Sequence, residues 1–337
     1  MKPGLTLVTG ATGLLGNNVV RRLLDRGQAV RVLARDTSDP RALEGLDLEI
    51  VRGDVCDAES VRRACDGAAS VIHSAGYVQI GRAHLDRHRQ INVEGTRHVA
   101  ESAWAVGARL VHVSSCDAVG IVSLDEPADE ETPLADPLPV PYVITKREAE
   151  QVVLEQVHQG LDAVIVNPGF MLGPWDWKPS SGRMLLEVGS GKGLFAPRGW
   201  FSLCDARDVA AGALAAVQRG QPGRRYVLAG ATLSYLDAWR RFAQATGARR
   251  PWGQAGPIIL RLAGWSGDLW TRLTGGEPDV NSGAIALAAL PKNYTSARAE
   301  KELGYHIRPV EETIRDAWAW FDEHGYTRQA SRKKRAR

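Results

Sequence analysis

Cysteine is scarce in this chain of 337 residues, and the few cysteines that occur have no paired spacing. A disulfide framework or a zinc ribbon needs cysteines at recurring short intervals, so the sequence argues against both. A protein without disulfides suits a reducing compartment, and we expect this one to be cytoplasmic. The cysteines are Cys56, Cys65, Cys116 and Cys204.

Long apolar runs are also missing, since no stretch approaches 18 uncharged hydrophobic residues. A transmembrane helix requires about that length, so we expect no integral membrane segment. The first apolar, β-rich run begins at Leu5, and we expect no signal peptide before it. With 44% hydrophobic and 24% charged residues, the chain has the composition of a globular protein with a full core.

Net charge is small, at +3 with neutral histidines. Several positive charges fall in Arg328–Arg337, and we expect residues 327–337 to form a basic flexible tail. No other basic run is interleaved with aromatic residues, so we expect no nucleic-acid partner. His84 and His88 have a spacing that a metal site can use, but no third ligand is evident and we expect no metal.

A glycine-rich turn lies close to the N-terminus, in the segment LTLVTGATGLLG. A short β-rich run, Leu5–Val8, precedes it, and apolar residues at helical spacing, Leu14–Leu24, follow it. Gly10 would allow a tight turn, Gly13 a close approach to phosphate, and Gly16 close packing of helix on strand. The helix N-terminus adds N–H donors and a positive dipole end. The pattern predicts a site for a dinucleotide pyrophosphate.

The next predicted strand, Ala29–Leu33, is followed by Ala34 and Arg35. An NAD enzyme usually has an acidic residue here, against the ribose 2′-hydroxyl, whereas a guanidinium suits the 2′-phosphate of NADP(H). We therefore expect NADP(H) to be preferred, with NAD(H) as the alternative. Asp36 stands beside Arg35 and would offset part of its charge.

Strands and helices alternate along the first half of the chain. Strands are predicted at Leu48–Val51, Ser70–His73 and Arg109–Val113, and helices at Ala58–Ala64 and Ile91–Ala105. Alternating units indicate an α/β fold with a Rossmann-type, doubly wound parallel sheet that binds ligands at the carboxyl ends of its strands. The residues that fall at such ends are Asp54, Val55, Ser74, Ala75 and Gly76.

Three residues in the middle of the chain carry candidate chemistry. Tyr142 and Lys146 lie in PYVITKREAE, where a spacing of four puts the phenol and the ammonium on one helix face. We expect the ammonium to lower the pKa of the phenol toward working pH, which would make Tyr142 a usable general acid or base. Ser115, after the strand RLVHV, could donate a hydrogen bond to a reacting carbonyl oxygen. Ser114 is the neighbouring choice.

Together these segments resemble an extended short-chain dehydrogenase/reductase of the NAD-dependent epimerase/dehydratase superfamily. TGATGLLG is similar to the family's TGxxGxxG, INVEGT with Asn92 to NVxGT, SSCDAVG to the catalytic-serine segment, and YVITK to YxxxK. Val166–Pro174 resembles the segment after the catalytic helix, and Ser296–Tyr326 resembles the closing helices. The likeness is strongest to the dihydroflavonol reductase-like and hopanoid-associated branch. Thr145 stands where the family more often has serine.

The resemblance implies a dinucleotide-binding domain over residues 1–168, with a return segment at about 201–230. Residues 169–200 and 231–326 would then form a smaller C-terminal substrate-binding lobe. It also implies a homodimer through the helices that include Tyr142 and Ile91–Ala105. The implied catalytic set is Ser115, Tyr142 and Lys146, with Asn92 supporting a proton-relay water. The implied cofactor contacts are Gly10, Thr12, Gly13, Leu14, Leu15, Gly16, Arg35, Asp54, Val55, Ser74, Ala75, Gly76, Tyr142, Lys146, Pro168 and Met171.

The implied reaction is reduction of a ketone or aldehyde to the alcohol, and its reverse. NADPH would deliver a hydride to the carbonyl carbon while Tyr142 gives a proton to the oxygen, Ser115 holds that oxygen and Lys146 holds the nicotinamide ribose. One alternative is an NAD-dependent nucleotide-sugar epimerase or dehydratase. Another is a protein that only binds dinucleotide to sense redox state, against which an intact catalytic set argues. The basic residues that could bind a sugar diphosphate are Arg183, Lys192 and Arg198.

Two further features bear on the substrate. Indoles concentrate in the predicted lobe and suit aromatic, polyketide or lipid-like substrates, although plain packing would explain about half of them. The amphipathic stretch Pro257–Leu273 is interrupted by Gly264 and Gly267, and it could be a lid, a dimer surface or a weak membrane contact. The tryptophans concerned are Trp175, Trp177, Trp200, Trp252, Trp265 and Trp270.

Overall fold

Twelve strands and twelve α-helices are present in the computed structural model, which describes residues 4–135 and 138–327. The predicted tail Arg328–Arg337 lies outside these residues. The strands are β1 Thr6–Thr9, β2 Val30–Ala34, β3 Glu49–Arg52, β4 Ser70–His73, β5 Arg109–Val113, β6 Ala163–Pro168, β7 Phe170–Leu172, β8 Phe195–Ala196, β9 Trp200–Asp205, β10 Arg225–Leu228, β11 Ala231–Ser234 and β12 Gly253–Gln254. The helices are α1 Leu14–Leu24, α2 Ala58–Cys65, α3 Leu85–His88, α4 Gly95–Ala105, α5 Pro141–His158, α6 Gly182–Gly189, α7 Ala206–Arg219, α8 Tyr235–Thr246, α9 Pro257–Thr274, α10 Ser282–Ala288, α11 Ala297–Leu303 and α12 Val310–Glu323.

Seven strands form one parallel sheet in the order β10-β6-β5-β4-β1-β2-β3. The strand order reverses between β1 and β4, and such a reversal opens a crevice at the carboxyl ends of the strands. Thr9 of β1 pairs with Leu33 of β2 and with His73 of β4. The glycine turn that follows Thr9 therefore lies in the crevice. The predicted α/β fold with a Rossmann-type doubly wound sheet is confirmed.

Helices bury both faces of this sheet. On one face α1, α7 and α11 pack through residues such as Val19 and Leu303, and on the other α2, α4 and α5 pack through residues such as Val61 and Val153. A parallel sheet covered on both faces needs strands that are buried almost throughout. This is true of β1, β5 and β6. The sheet is thus a rigid platform whose carboxyl edge presents the loops.

The rest of the described chain builds smaller units at that edge. A three-stranded sheet, β11-β9-β7, packs with α6, α8 and α12 around Phe201, Phe242 and Phe321. Strands β8 and β12 form a separate two-stranded pair. Helices α9 and α10 pack against each other. Among the described residues, no helix has the length and apolar character needed to cross a bilayer.

Candidate active site

The chain turns sharply after β1, at Gly10, whose φ is +71°. A Cβ atom on Gly10 would lie 2.6 Å from the backbone nitrogen of Ala75, and one on Gly16 would collide with the carbonyl oxygen of Gly10. Only glycine fits at either position without moving backbone. Gly13 is the N-cap of α1 and makes no side-chain capping bond, so the first N–H groups of the helix can serve an anion. These residues fit a dinucleotide pyrophosphate.

Two of the other predicted cofactor contacts, Leu14 and Leu15, are buried in the first turn of α1. Their side chains belong to the protein interior, so only their backbone N–H groups can reach a ligand. The side chain of Val55 is buried too, and its carbonyl oxygen accepts a hydrogen bond from His98 Nδ1 at 3.0 Å. Thr12 is partly exposed in the glycine turn.

Arg35 directly follows β2, and its guanidinium lies 3.8 Å from the carboxylate of Asp54, which follows β3. Both side chains are about half exposed. We expected Asp36 to offset the charge of Arg35, but Asp36 instead lies 3.9 Å from Arg52. The reason is that β2 and β3 run side by side, which sets Arg35 beside Asp54. Two arginines and two carboxylates thus form a polar edge where the adenosine half of a dinucleotide would lie.

The end of β4 is tied to the end of β1. Ser74 Oγ donates to the carbonyl oxygen of Thr9 at 2.7 Å, and the Ala75 nitrogen donates to Thr9 Oγ1 at 3.3 Å. A Cβ atom on the next residue, Gly76, would lie 3.4 Å from Asn92 Oδ1 and 3.6 Å from Lys146 Nζ. The structure therefore brings the end of β4 together with two predicted catalytic side chains.

Asn92 lies in a π-helical turn, Arg89–Glu94, that leads into α4 where a continuous α-helix was expected. Its Oδ1 accepts from the Tyr77 nitrogen at 2.7 Å, and its Nδ2 donates to the Tyr77 carbonyl oxygen and to Thr145 Oγ1, each at 3.0 Å. Wide turns of this kind are frequent at functional sites because they re-aim backbone groups. The hydroxyl of Thr145 serves here as the acceptor that a serine would supply.

Ser115 follows β5 and caps a short 3₁₀ turn, with its Oγ accepting from the Asp117 nitrogen at 3.1 Å. The same hydroxyl is close enough to Tyr142 to lower the pKa of its phenol. Tyr142 lies in the first turn of α5, directly after Pro141, whose fixed φ favours the start of a helix. Ser114 is buried, and its hydroxyl has no hydrogen-bond partner among the described residues. The structure thus brings Ser115, not Ser114, to the phenol.

The expectation that Lys146 lowers the pKa of Tyr142 was wrong. Burial raises the pKa of the phenol above its ordinary value, the carboxylate of Asp117 raises it further, and the nearby Ser115 hydroxyl opposes both. Lys146 Nζ donates to the Val113 carbonyl oxygen at 2.9 Å, which directs its charge toward the sheet. Tyr142 in this state is a neutral phenol, the form that can give a proton to a carbonyl oxygen.

Lys146 is buried, and burial lowers its pKa to about 8 while Glu150 opposes that change. Glu150 stands one turn further along α5 and is itself buried. Its Oε1 accepts from Asn167 Nδ2 at 2.6 Å, and the same nitrogen donates to the Ser115 carbonyl oxygen at 3.0 Å. Glu150 and Asn167 thus join α5 to the backbone of Ser115. Sequence reasoning missed both, although the spacing from Lys146 to Glu150 repeats that from Tyr142 to Lys146.

A second pair that sequence reasoning missed is Asp117 and Lys292. Their Oδ1 and Nζ atoms lie 2.6 Å apart, with side-chain exposures of 15% and 8%. Burial lowers the pKa of Lys292, but Asp117 and Tyr235 raise it, and the net effect is a raised pKa. Lys292 comes from the loop between α10 and α11, far along the chain. No local pattern could have indicated that it meets the segment that carries Ser115.

The two remaining predicted contacts lie past α5. Pro168 ends β6, where it pairs with Leu228 of β10, and it is buried. Met171 lies in β7, opposite Cys204 of β9 in the three-stranded sheet. Met171 is packed against the core beneath α1 and α7. Both lie in the two consecutive strands that connect the large sheet to the small one.

Packing explains part of the tryptophans, as the sequence allowed. Trp175 and Trp177 pack against Trp320, and Arg21 of α1 stacks on Trp175 at 3.3 Å, so these indoles fasten the lobe to the large sheet. Trp252, Trp265 and Trp270 are exposed. An aliphatic cluster lies beside Tyr142 instead, formed by Ile80, Leu138, Val140, Val143, Leu287 and Leu290.

The chain is similar to known proteins over most of its length. The model of the NAD-dependent epimerase/dehydratase family matches residues 6–229. The chain is 36% identical to sterol demethylase protein B of Methylococcus capsulatus, covering 95% of this chain and 99% of that protein. It is 33% identical to a protein of Synechocystis sp. named provisionally as a dihydroflavonol 4-reductase, covering 95% of each. The crystal structure of gox2253 is similar with a TM-score of 0.82 and 33% identity, covering 95% of this chain and 98% of that one.

Proposed function

This chain belongs to the NAD-dependent epimerase/dehydratase family, and we propose that it is an NADP(H)-dependent oxidoreductase that reduces a ketone or aldehyde of a hydrophobic substrate to the alcohol, or runs the reverse. The observation that carries the proposal is the meeting of Ser115, Tyr142, Asn92 and Lys146 at the carboxyl edge of the large sheet. A protein that only binds a dinucleotide has no need of a neutral phenol beside a buried serine.

Each residue of the candidate site has its own role in the proposed reaction. A bound nicotinamide dinucleotide supplies or accepts the hydride. Tyr142, as a neutral phenol, gives a proton to the carbonyl oxygen in reduction and takes it back in oxidation. Ser115 donates a hydrogen bond to the same oxygen and stabilises the charge that develops on it. The Lys146 ammonium, held by the Val113 carbonyl oxygen, lies beside Gly76 and would hold the nicotinamide ribose.

Arg35 supports a preference for NADP(H). A guanidinium can form charge-assisted hydrogen bonds to the 2′-phosphate, and its half-exposed position after β2 leaves it accessible. Asp54, 3.8 Å away, balances Arg35 without forming a close bidentate pair. Arg52 donates to the Arg35 carbonyl oxygen at 3.4 Å and adds positive charge to the same edge. We infer that this polar edge of the dinucleotide-binding domain, residues 1–168, selects NADP(H) over NAD(H).

The aliphatic cluster beside Tyr142 favours a hydrophobic substrate, since apolar walls around a few polar groups are typical of small-molecule sites. Sterols and dihydroflavonols, which appear in the names of two relatives, are both fused-ring compounds with oxygen substituents. We infer a ring-containing or lipid-like carbonyl compound. Residues 169–200 and 231–326 would supply the lobe that closes over it.

The alternative of a nucleotide-sugar epimerase receives less support from the charges. Arg183 pairs with Asp279 at 2.7 Å and Lys192 pairs with Glu187 at 2.9 Å. Arg198 donates to the Ala255 carbonyl oxygen at 3.3 Å. The three residues that could bind a sugar diphosphate are thus engaged by other groups, whereas the aliphatic cluster beside Tyr142 suits a less polar molecule.

The test is the loss of absorbance at 340 nm when the enzyme meets NADPH and a dihydroflavonol, a 3-ketosteroid or a long-chain aldehyde. We expect turnover with at least one of them, and a loss of about 10²- to 10⁴-fold in Tyr142→Phe. Tyr226→Phe is the matched control, because its hydroxyl contacts Glu302 instead of the site. Epimerisation of nucleotide sugars with no consumption of NADPH against any carbonyl would overturn the proposal.

A further inference from the structure

Helix α9 is continuous over Pro257–Thr274, whereas we expected glycines to interrupt it. Gly264 and Gly267 are its only buried residues and face α10. A Cβ atom on Gly267 would collide with the Val280 carbonyl oxygen, and one on Gly264 would lie 3.2 Å from the Ser282 Cα atom. The glycines therefore permit the close packing of α9 on α10, and that packing keeps the helix intact.

The opposite side of α9 is apolar and faces outward. Its large residues recur at intervals of three or four, so they form one stripe along the helix, which we call the α9 stripe. A soluble protein rarely leaves a contiguous apolar patch of this kind in water unless it binds something. Ile259 and Trp270 widen it on one side. The stripe consists of Ile258, Leu262, Trp265, Leu269 and Leu273, with exposures between 38% and 75%.

The charges beside the α9 stripe are positive. Arg261 and Arg272 are exposed and lie along the same edge of it, by helical geometry. The one acidic residue of α9, Asp268, accepts from the Ser282 nitrogen at 3.0 Å and so is turned toward α10. Beyond the helix, Arg249 stacks on the exposed Trp252 at 4.8 Å. The outward surface of α9 itself thus combines apolar side chains, the indoles of Trp265 and Trp270 and two guanidinium groups, without an outward-facing carboxylate on the helix.

We propose that α9 docks the protein on the surface of an anionic lipid bilayer, with the α9 stripe inserted among the headgroups and Arg261 and Arg272 against lipid phosphates. This is the composition of helices that lie in the interface plane, where indoles prefer the headgroup boundary. A second copy of the chain is a poorer occupant. Antiparallel pairing of two α9 stripes would set the arginines of the two copies side by side, like charge against like.

The α9–α10 pair adjoins the candidate active site. After α9, Glu277 accepts from the Ala83 nitrogen at 3.0 Å, and Asn281 Nδ2 donates to the Ile80 carbonyl oxygen at 2.7 Å. These bonds attach the α9–α10 pair to the loop that follows Gly76. Leu287 of α10 belongs to the same apolar cluster as Tyr142. If the proposed function holds, a lipid-like substrate would reach the site from the bilayer, but the docking itself does not depend on the reaction.

The test is co-sedimentation of the full chain with sucrose-loaded vesicles of phosphatidylcholine, alone or mixed with phosphatidylglycerol. We expect binding to the mixed vesicles that weakens with added salt. Trp265→Glu with Leu269→Glu should reduce the partition coefficient at least about tenfold, because carboxylates cannot enter the headgroup layer at low cost. Arg261→Gln and Arg272→Gln should each reduce binding by about fivefold, and only to the mixed vesicles.

Trp104→Glu is the control, since Trp104 is an exposed indole on α4 with 46% exposure and lies outside the α9 stripe. It should bind vesicles as the wild type does.

Thermal melting and far-UV circular dichroism confirm that each variant is folded. Equal binding by the wild type and the stripe variant, or no binding to either lipid, would overturn the proposal. The proposal would also be overturned if light scattering showed a wild-type dimer that Trp265→Glu converts to a monomer, and neither protein bound vesicles. None of these readouts requires turnover, so they fail independently of the proposed function.

Discussion

Lys292 holds the carboxylate of Asp117 at 2.6 Å, and this buried pair joins the loop before α11 to the segment that carries Ser115. Removing one partner leaves the other charge buried and unpaired. We expect Lys292→Met to lower the free energy of unfolding by about 3–5 kcal/mol. Adding Asp117→Asn to it should restore much of the loss, which denaturant unfolding of the double-mutant cycle would show.

An exposed pair serves as the control for that cycle. Lys192 lies 2.9 Å from Glu187 with both side chains about half exposed, so Lys192→Met should cost no more than about 1 kcal/mol. If Lys292→Met lowers the free energy of unfolding as little as Lys192→Met does, Lys292 does not stabilise the fold by neutralising a buried carboxylate.

Glu150→Gln should change the pH dependence of reduction. Burial lowers the pKa of Lys146 to about 8, and the Glu150 carboxylate opposes that fall. Without the carboxylate the pKa of Lys146 drops further, so the ammonium is lost at a lower pH. We expect the alkaline limb of kcat/KM for NADPH-dependent reduction near pH 8 in the wild type, and it should move to lower pH in the variant.

The matched control for this profile is Glu148→Gln, because Glu148 lies on the same helix but pairs with Arg89 on the surface. Its profile should match that of the wild type. An alkaline limb that stays in place in Glu150→Gln would show that Lys146 does not govern it.

Short-range motifs explain why so much of the site was predictable from sequence. The glycine turn and the spacing of Tyr142 and Lys146 depend on residues within one turn or one helix, and both are found as expected. The pKa of Tyr142 was predicted wrongly because it depends on burial and on Asp117, which helical spacing does not reveal. Lys292 was missed because its partner lies far away in the chain.

The same distinction applies to the fold. Alternating apolar segments predicted the parallel sheet, since each βα unit is a local pattern. The interruption expected in α9 did not occur, because the packing of Gly264 and Gly267 on α10 is a tertiary contact that outweighs the low helix propensity of glycine. Similarly, the stacking of Arg21 on Trp175 joins two segments that are distant in sequence. The sequence alone could not tell an indole in such a contact from one that lines a ligand pocket.

Arg35→Ala should discriminate between the two dinucleotides. The variant loses a charge-assisted hydrogen bond to the 2′-phosphate, so the Kd for NADPH should rise by about 10- to 100-fold. The Kd for NADH should change by less than about threefold, because NADH has no 2′-phosphate. Quenching of protein fluorescence measures both. Arg26→Ala, an exposed arginine after α1, should leave both values unchanged, and equal losses for NADPH and NADH in Arg35→Ala would refute the assignment.

Gly16→Ala should weaken the binding of either dinucleotide. The added Cβ atom would collide with the Gly10 carbonyl oxygen, so the turn that forms the phosphate cradle must move. We expect at least about a tenfold rise in Kd and a loss of about 1–3 kcal/mol in stability. Gly253→Ala is the control, since nothing lies within 4 Å of its added Cβ atom. Wild-type affinity in Gly16→Ala would place the pyrophosphate elsewhere.

The most direct test of the central claim follows a single isotope. NADPH deuterated at C4 of the nicotinamide is incubated with the enzyme and a ring-containing ketone, and the product is examined by mass spectrometry. Transfer of deuterium to the carbinol carbon, reduced by about 10²-fold or more in Tyr142→Phe, is the predicted result. Deuterium that never reaches any ketone, while nucleotide sugars exchange hydrogen with a tightly retained dinucleotide, would contradict the assignment as a carbonyl reductase.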